Sequence, residues 1–126
     1  MNFASPPRRV KTFTADSGYV YQYYFVGKRA ALPDAPEAPA TEFIFDVTRD
    51  RKAMFAFSVF VQSGAIEGWA AAHGRTLTEP EQYAAAKLRL LRGFEEIGDR
   101  ELRQHSRHFV VDAANVSELL AEIGLE

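Results

Sequence analysis

Aromatic residues on a period of two, crowded into one half of the chain, constrain this fold more than any other feature. Of sixteen Phe, Tyr and Trp residues, eleven lie between Phe13 and Phe60. There they alternate: Tyr19, Tyr21, Tyr23 and Phe25, then Phe43 and Phe45, then Phe55 and Phe57. A period of two sends successive side chains to opposite sides of a strand, so this half reads as a sheet with aromatic faces.

Four strands follow from the pattern: Arg9 to Thr14, Tyr19 to Arg29, Thr41 to Thr48, and Ala53 to Val61. The turn sequence Ala15-Asp16-Ser17-Gly18 joins the first two as a hairpin, because Asp folds back on its own backbone and Gly accepts positive φ. The charged run Arg49-Asp50-Arg51-Lys52 joins the last two. Between strands two and three, Pro33, Pro36 and Pro39 recur every third residue, the repeat of a polyproline II helix. The segment 31 to 40 reads as a stiff connection, with a docking ligand for a partner groove as the alternative.

After Val61 the period changes to that of a helix. A short helix is expected from a Ser63 cap through Ala72, with Ile66, Trp69 and Ala70 on one side and His73-Gly74 as its stop. Thr78-Glu79-Pro80-Glu81 has the form of a capping box with Pro in the first turn. The helix it starts should run to Ile97 and stop at Gly98. Its apolar stripe is Tyr83, Ala86, Leu90, Phe94 and Ile97, widened by Ala84 and Leu91, with an Arg92–Glu96 pair on the far side. Phe109 to Val111 reads as a fifth strand. Asn115 is expected to cap a last helix bearing Leu119, Leu120 and Ile123 and ending at Gly124.

Strands first and helices later give an α+β class: an antiparallel meander of four or five strands, with two or three helices packed on one face. The 126 residues read as one domain, residues 1 to 8 being a loose lead-in. Hydrophobic and charged fractions of 47% and 25% are those of a globular chain. No cysteine is present, which excludes disulfides, thiolate metal sites and cysteine nucleophiles. The N-terminus has no apolar signal core, and no apolar run reaches the ~18 residues needed to span a bilayer. A soluble, cytoplasmic protein without a membrane partner is the expectation.

The net charge is −2, with +2 up to Val61 and −4 beyond it, which argues against general nucleic-acid binding. Strand two is apolar on both sides: Tyr19, Tyr21, Tyr23 and Phe25 share one face, and Val20, Gln22, Tyr24 and Val26 the other. Helices cover one face, so the other is covered by the same chain, by a second copy, or by a ligand.

The leading functional reading is a non-enzymatic binding or interaction protein that self-associates as a homodimer through its second sheet face. An unidentified protein or a small ligand is the other partner class. The alternative is a small-ligand or single-stranded nucleic-acid binder. It would use Tyr21, Tyr23 and Tyr24, with Arg8, Arg9, Lys11, Lys28, Arg29, Arg49, Arg51 and Lys52 at strand ends and turns to hold phosphates. Trp69 and Lys87 complete the candidate interface residues.

An enzyme is the third reading. Lys87 is the one charge inside the helical stripe, and it either snorkels to water or pairs with Asp46, which interrupts an apolar strand. Glu101, His105 and His108 would share one face of a helix and are the best metal ligands available, without an HExxH context. No GxSxG elbow surrounds Ser58, Ser63 or Ser106, and no Gly-rich phosphate loop occurs. No catalytic residue and no cofactor is assigned.

Overall fold

The computed structural model describes residues 9–102 and 107–125. The lead-in 1 to 8, with Arg8, lies outside the described residues, as do His105 and Ser106. The protein is an α+β fold, with a five-stranded sheet and three helices among the described residues. The strands are β1 (Lys11–Thr14), β2 (Val20–Ala30), β3 (Ala40–Thr48), β4 (Phe55–Gln62) and β5 (His108–Val111). The helices are α1 (Ser63–His73), α2 (Glu79–Ile97) and α3 (Val116–Glu122).

Strands lie side by side in chain order, and β1 to β4 form the expected antiparallel meander. The sheet is mixed, not wholly antiparallel, because β5 pairs parallel to β4. The chain leaves the end of β4, passes through both α1 and α2, and re-enters from the starting end, so the returning strand must run the same way.

The pairing registers sort every strand residue to a face. Phe13, Tyr21, Tyr23, Phe25, Phe43, Phe45, Val47, Phe57, Val59, Val61, Phe109 and Val111 share one face and form the core with the helices. Phe94 of α2 is the hub. Its ring stacks on Tyr21 at 4.3 Å with 2° between planes, and it meets Phe13, Tyr23 and Phe57 within 6.1 Å. Such pairs contribute about 0.5–1.5 kcal/mol each beyond the area they bury.

A β-bulge interrupts β2. Phe25 pairs with Phe45, but Gly27 pairs with Ile44, leaving Val26 as the extra residue. The parity of β2 flips there. Lys28, which strict alternation puts with Tyr24, instead pairs with Phe43 on the core face and reaches Glu79 of α2 at 3.0 Å. Arg29 moves to the opposite face, against Glu42.

Helix α2 begins as its sequence dictates. Thr78 Oγ1 accepts from the Glu81 N–H and Glu81 Oε1 accepts from the Thr78 N–H, closing the capping box. Arg75 grips the same carboxylate with two N–H groups, at 3.0 and 2.7 Å. These hydrogen bonds, Arg75's first, hold the Glu81 carboxyl down at about 2 against an ordinary 4.5. The stripe Ala86, Leu90, Phe94 and Ile97 is buried, with Tyr83 half-buried at its start. It widens toward Ala85 and Gly93, where Phe109 of β5 lies against the helix, and Leu91 packs against the core half-buried, as expected. Arg92 does not pair with Glu96. It bridges to Glu118 and Glu122 of α3, and Arg89 takes Glu96.

Two caps and one connection differ from expectation. Ser63 is the first helical residue, and Gln62 before it makes no side-chain cap. Asn115 precedes α3 without capping it. Its amide donates to the Val110 carbonyl, and Asp112 Oδ1 satisfies the Ala114 and Asn115 N–H groups. The segment 31 to 40 is not a polyproline II helix, which has no internal hydrogen bonds. Two turns close it, Ala35 donating to Leu32 and Ala38 to Ala35, and Ala31 bonds across its neck to Ala40.

Two substitutions on α2 test this packing. Leu90 is fully buried, so Leu90→Ala should lower unfolding stability by about 2–5 kcal/mol in chemical denaturation. A Cβ on Gly93 would sit 2.3 Å from the Phe109 ring. Gly93→Ala should therefore cost about 1–3 kcal/mol, although helix propensity alone would return up to ~1 kcal/mol. A neutral Leu90→Ala or a stabilised Gly93→Ala would contradict the packing of α2 on the sheet.

Candidate functional site

Tyr23 is 4% exposed, and its ring belongs to the core. Its hydroxyl has no hydrogen-bond partner among the described residues, and the residue lines a cleft of about 340 Å³ at the sheet edge. The other lining residues are Arg9, Lys11, Phe25, Tyr83 and Lys87. Elementary geometry brings them together. Lys11 pairs with Tyr23 across β1 and β2, and Arg9, just before β1, lines the same cleft. Tyr83 and Lys87 are four apart on α2, one above the other. Phe25 supplies the floor, with the Tyr83 ring edge-on at 5.0 Å.

The charge of the cleft is one-sided. Arg9, Lys11 and Lys87 carry three positive charges, and none is ion-paired among the described residues. Among the described residues no carboxylate lines the cleft. Burial pushes the Tyr23 phenol above its ordinary 10.0, and the neighbouring Tyr83 pushes it further. Burial also raises Tyr83. Both phenols therefore stay protonated near neutral pH and are hydrogen-bond donors. Cations and O–H donors over aromatic faces suit an oxyanion attached to an apolar body.

The sequence candidates separate onto different surfaces. Tyr21 is fully buried. Its hydroxyl donates to the Phe94 carbonyl at 3.5 Å and accepts from Arg49 at 3.4 Å, so it offers no platform for a base. Tyr24 lies on the helix-free face, donating to Asp46 at 2.9 Å. Asp46 is thus on the side of the sheet away from α2, and the proposed Lys87–Asp46 pair does not form. Trp69 is buried, stacked on His73 at 4.1 Å with the Arg75 guanidinium 5.3 Å from its ring. Its Nε1 is the one buried side-chain polar atom without a hydrogen bond among the described residues.

Glu101 and His108, the described members of the metal constellation, sit on different elements. Glu101 is in a loop beside Arg49, Tyr19 and Phe55, His108 is in β5 on the helix-free face, and His105 is outside the described residues. Among the described residues no three metal-ligating side chains come together.

A second polar cluster escaped the sequence reading. On the helix-free face, buried Glu42 accepts from Arg29 at 2.8 Å and from Ser58 at 2.6 Å, and His108 pairs with Ser58 across β4 and β5. Burial works to raise the Glu42 carboxyl, but the Arg29 and Ser58 hydrogen bonds outweigh it, and the group stays below its ordinary value. A carboxylate held low is a poor base, and Ser58 spends its proton on it. This arrangement welds β2, β3 and β4 together and does not activate a nucleophile. The Gly27 bulge was the legible signal for it, since glycine inside a strand pattern marks such a bulge.

No family model, no curated protein and no solved structure matches this chain. Among the described residues no helix is long and apolar enough to cross a membrane.

Proposed function

We propose that this chain is a non-enzymatic binding protein that holds a small organic anion in the cleft between β1, β2 and α2. The observation that carries this reading is the convergence of Arg9, Lys11 and Lys87, all without ion pairs among the described residues, on a floor of Tyr23, Phe25 and Tyr83. Like charges gathered at one edge repel each other, and an anion relieves that repulsion. A volume of about 340 Å³ is within the range of small-molecule sites. The reading keeps Tyr23 and Lys87 as ligand residues and assigns Tyr21 and Trp69 to the core.

Calorimetric titration with benzoate and phenyl phosphate tests it. Saturable binding is expected, weakening as salt rises. Lys11→Met and Lys87→Met should each reduce affinity about tenfold, the loss of one charged hydrogen bond, with unchanged thermal stability of the free protein. Absence of binding by either anion, or variants that bind as well as the parent, would sink the proposal.

A second reading is self-association through the helix-free face, favoured by Val20 and Val26, which are 44% and 39% exposed there. Against it, the centre of that face is polar and hydrogen-bonded through Tyr24–Asp46 and Arg29–Glu42–Ser58. Light scattering on a sizing column decides. A salt-insensitive dimer supports this reading, and a monomer removes it.

A further inference from the structure

We infer that the anion this cleft selects is a phosphomonoester dianion carried on a flat ring, the chemistry of a nucleoside monophosphate. The inference rests on the reading of the cleft as an organic-anion site, and it specifies charge, head group and body.

Charge comes first. Among the described residues three cations and no carboxylate line the cleft. A carboxylate or a sulfate ester brings one negative charge and leaves two cations facing each other. A phosphomonoester carries about −1.5 to −2 at neutral pH. It therefore neutralises most of the site.

Donor number points the same way. Arg9, Lys11, Lys87 and the hydroxyls of Tyr23 and Tyr83 make five donor side chains around one small space. A phosphomonoester presents three terminal oxygens with several lone pairs each, whereas a carboxylate presents two. The Tyr23 hydroxyl is the sharpest element. Tyr23 is 4% exposed, and its hydroxyl, which makes no hydrogen bond among the described residues, is reached by solvent at the cleft. A ligand oxygen in the cleft accepts a hydrogen bond from it in place of water. Burial and the neighbouring Tyr83 keep that hydroxyl protonated, so it donates.

The body follows from the floor. Phe25 and Tyr83 are half-buried rings at the cleft, and every planar ring has a π-face on which to stack. The cleft ends at β1, which contributes four residues to the sheet, so the ligand's far end meets solvent there. A single ring system with one phosphate fits. A long single strand would need a continuing basic track, and beyond this cleft Lys28 and Arg29 are occupied by Glu79 and Glu42.

Phenyl phosphate and phenyl sulfate have nearly the same shape and differ in charge, so the pair isolates the claim. Calorimetric titration of the full chain with both, with adenosine monophosphate and with adenosine is the experiment. Phenyl phosphate and adenosine monophosphate should bind at least about tenfold tighter than phenyl sulfate and adenosine. That advantage should fade as pH falls through about 6, where the phosphate takes up its second proton.

Tyr23→Phe should weaken phenyl phosphate about threefold to tenfold while leaving the melting temperature of the free protein unchanged. Equal binding of phenyl phosphate and phenyl sulfate would overturn this inference and leave the organic-anion reading standing. No binding of any of the four, nor of benzoate, would overturn both. Binding confined to oligonucleotides of many residues would overturn it in favour of a polymer site.

Discussion

The stack of Phe94 on Tyr21 fixes which side of the sheet is inside. Phe94 is a single residue of α2, yet it touches rings from β1, β2 and β4 at once. Once that ring is seated, α2 can lie only along the face that carries Tyr21, Tyr23, Phe45 and Phe57. Ionic and polar contacts then hold its two ends, with Lys28 on Glu79 at the start and Arg49 on the Gly98 carbonyl after the last turn. α3 closes over the remaining side through Leu119 and Leu120, with Arg92 bridging to it.

The cleft is a consequence of that seating. α2 reaches the sheet edge with Tyr83 and Lys87 projecting toward β1, where the strand is too short to bury them. Aromatic rings that serve as core further in become the floor of an open site at the rim. The cations at the rim stay in water, which is why three of them coexist without partners among the described residues. The opposite face of the sheet spends its polar groups differently. There Arg29, Glu42, Ser58, Tyr24 and Asp46 satisfy one another, and little is left to bind anything.

Much of this was legible in the sequence, for physical reasons. Alternating rings set the strands, because period two has one structural solution. Thr78-Glu79-Pro80-Glu81 set the start of α2, because each of those residues satisfies a specific backbone group. Parity divided Tyr21 and Tyr23 from Tyr24 but did not say which set faces the helices. That choice depends on Phe94 contacts with strands more than thirty residues away.

The bulge at Gly27 broke the same parity rule downstream, so Lys28 and Arg29 exchanged faces and the Glu42 network went unseen. The parallel β5 was hidden because its four residues have no pattern to reveal direction. The site itself joins Lys11 to Lys87, and no spacing rule connects residues so far apart. Lys87 stands out in the sequence as a charge in an apolar stripe and lines the cleft, but its expected partner, Asp46, lies through the sheet beside Tyr24.

The account stands or falls on where an aromatic phosphate contacts the protein. Nuclear magnetic resonance titration with phenyl phosphate reads this residue by residue. The expected result is perturbation concentrated at Lys11, Tyr23, Phe25, Tyr83 and Lys87, with Tyr24, Glu42 and His108 unmoved. Perturbation centred on Tyr24, Glu42 and His108, or spread thinly over every exposed lysine and arginine, would contradict it.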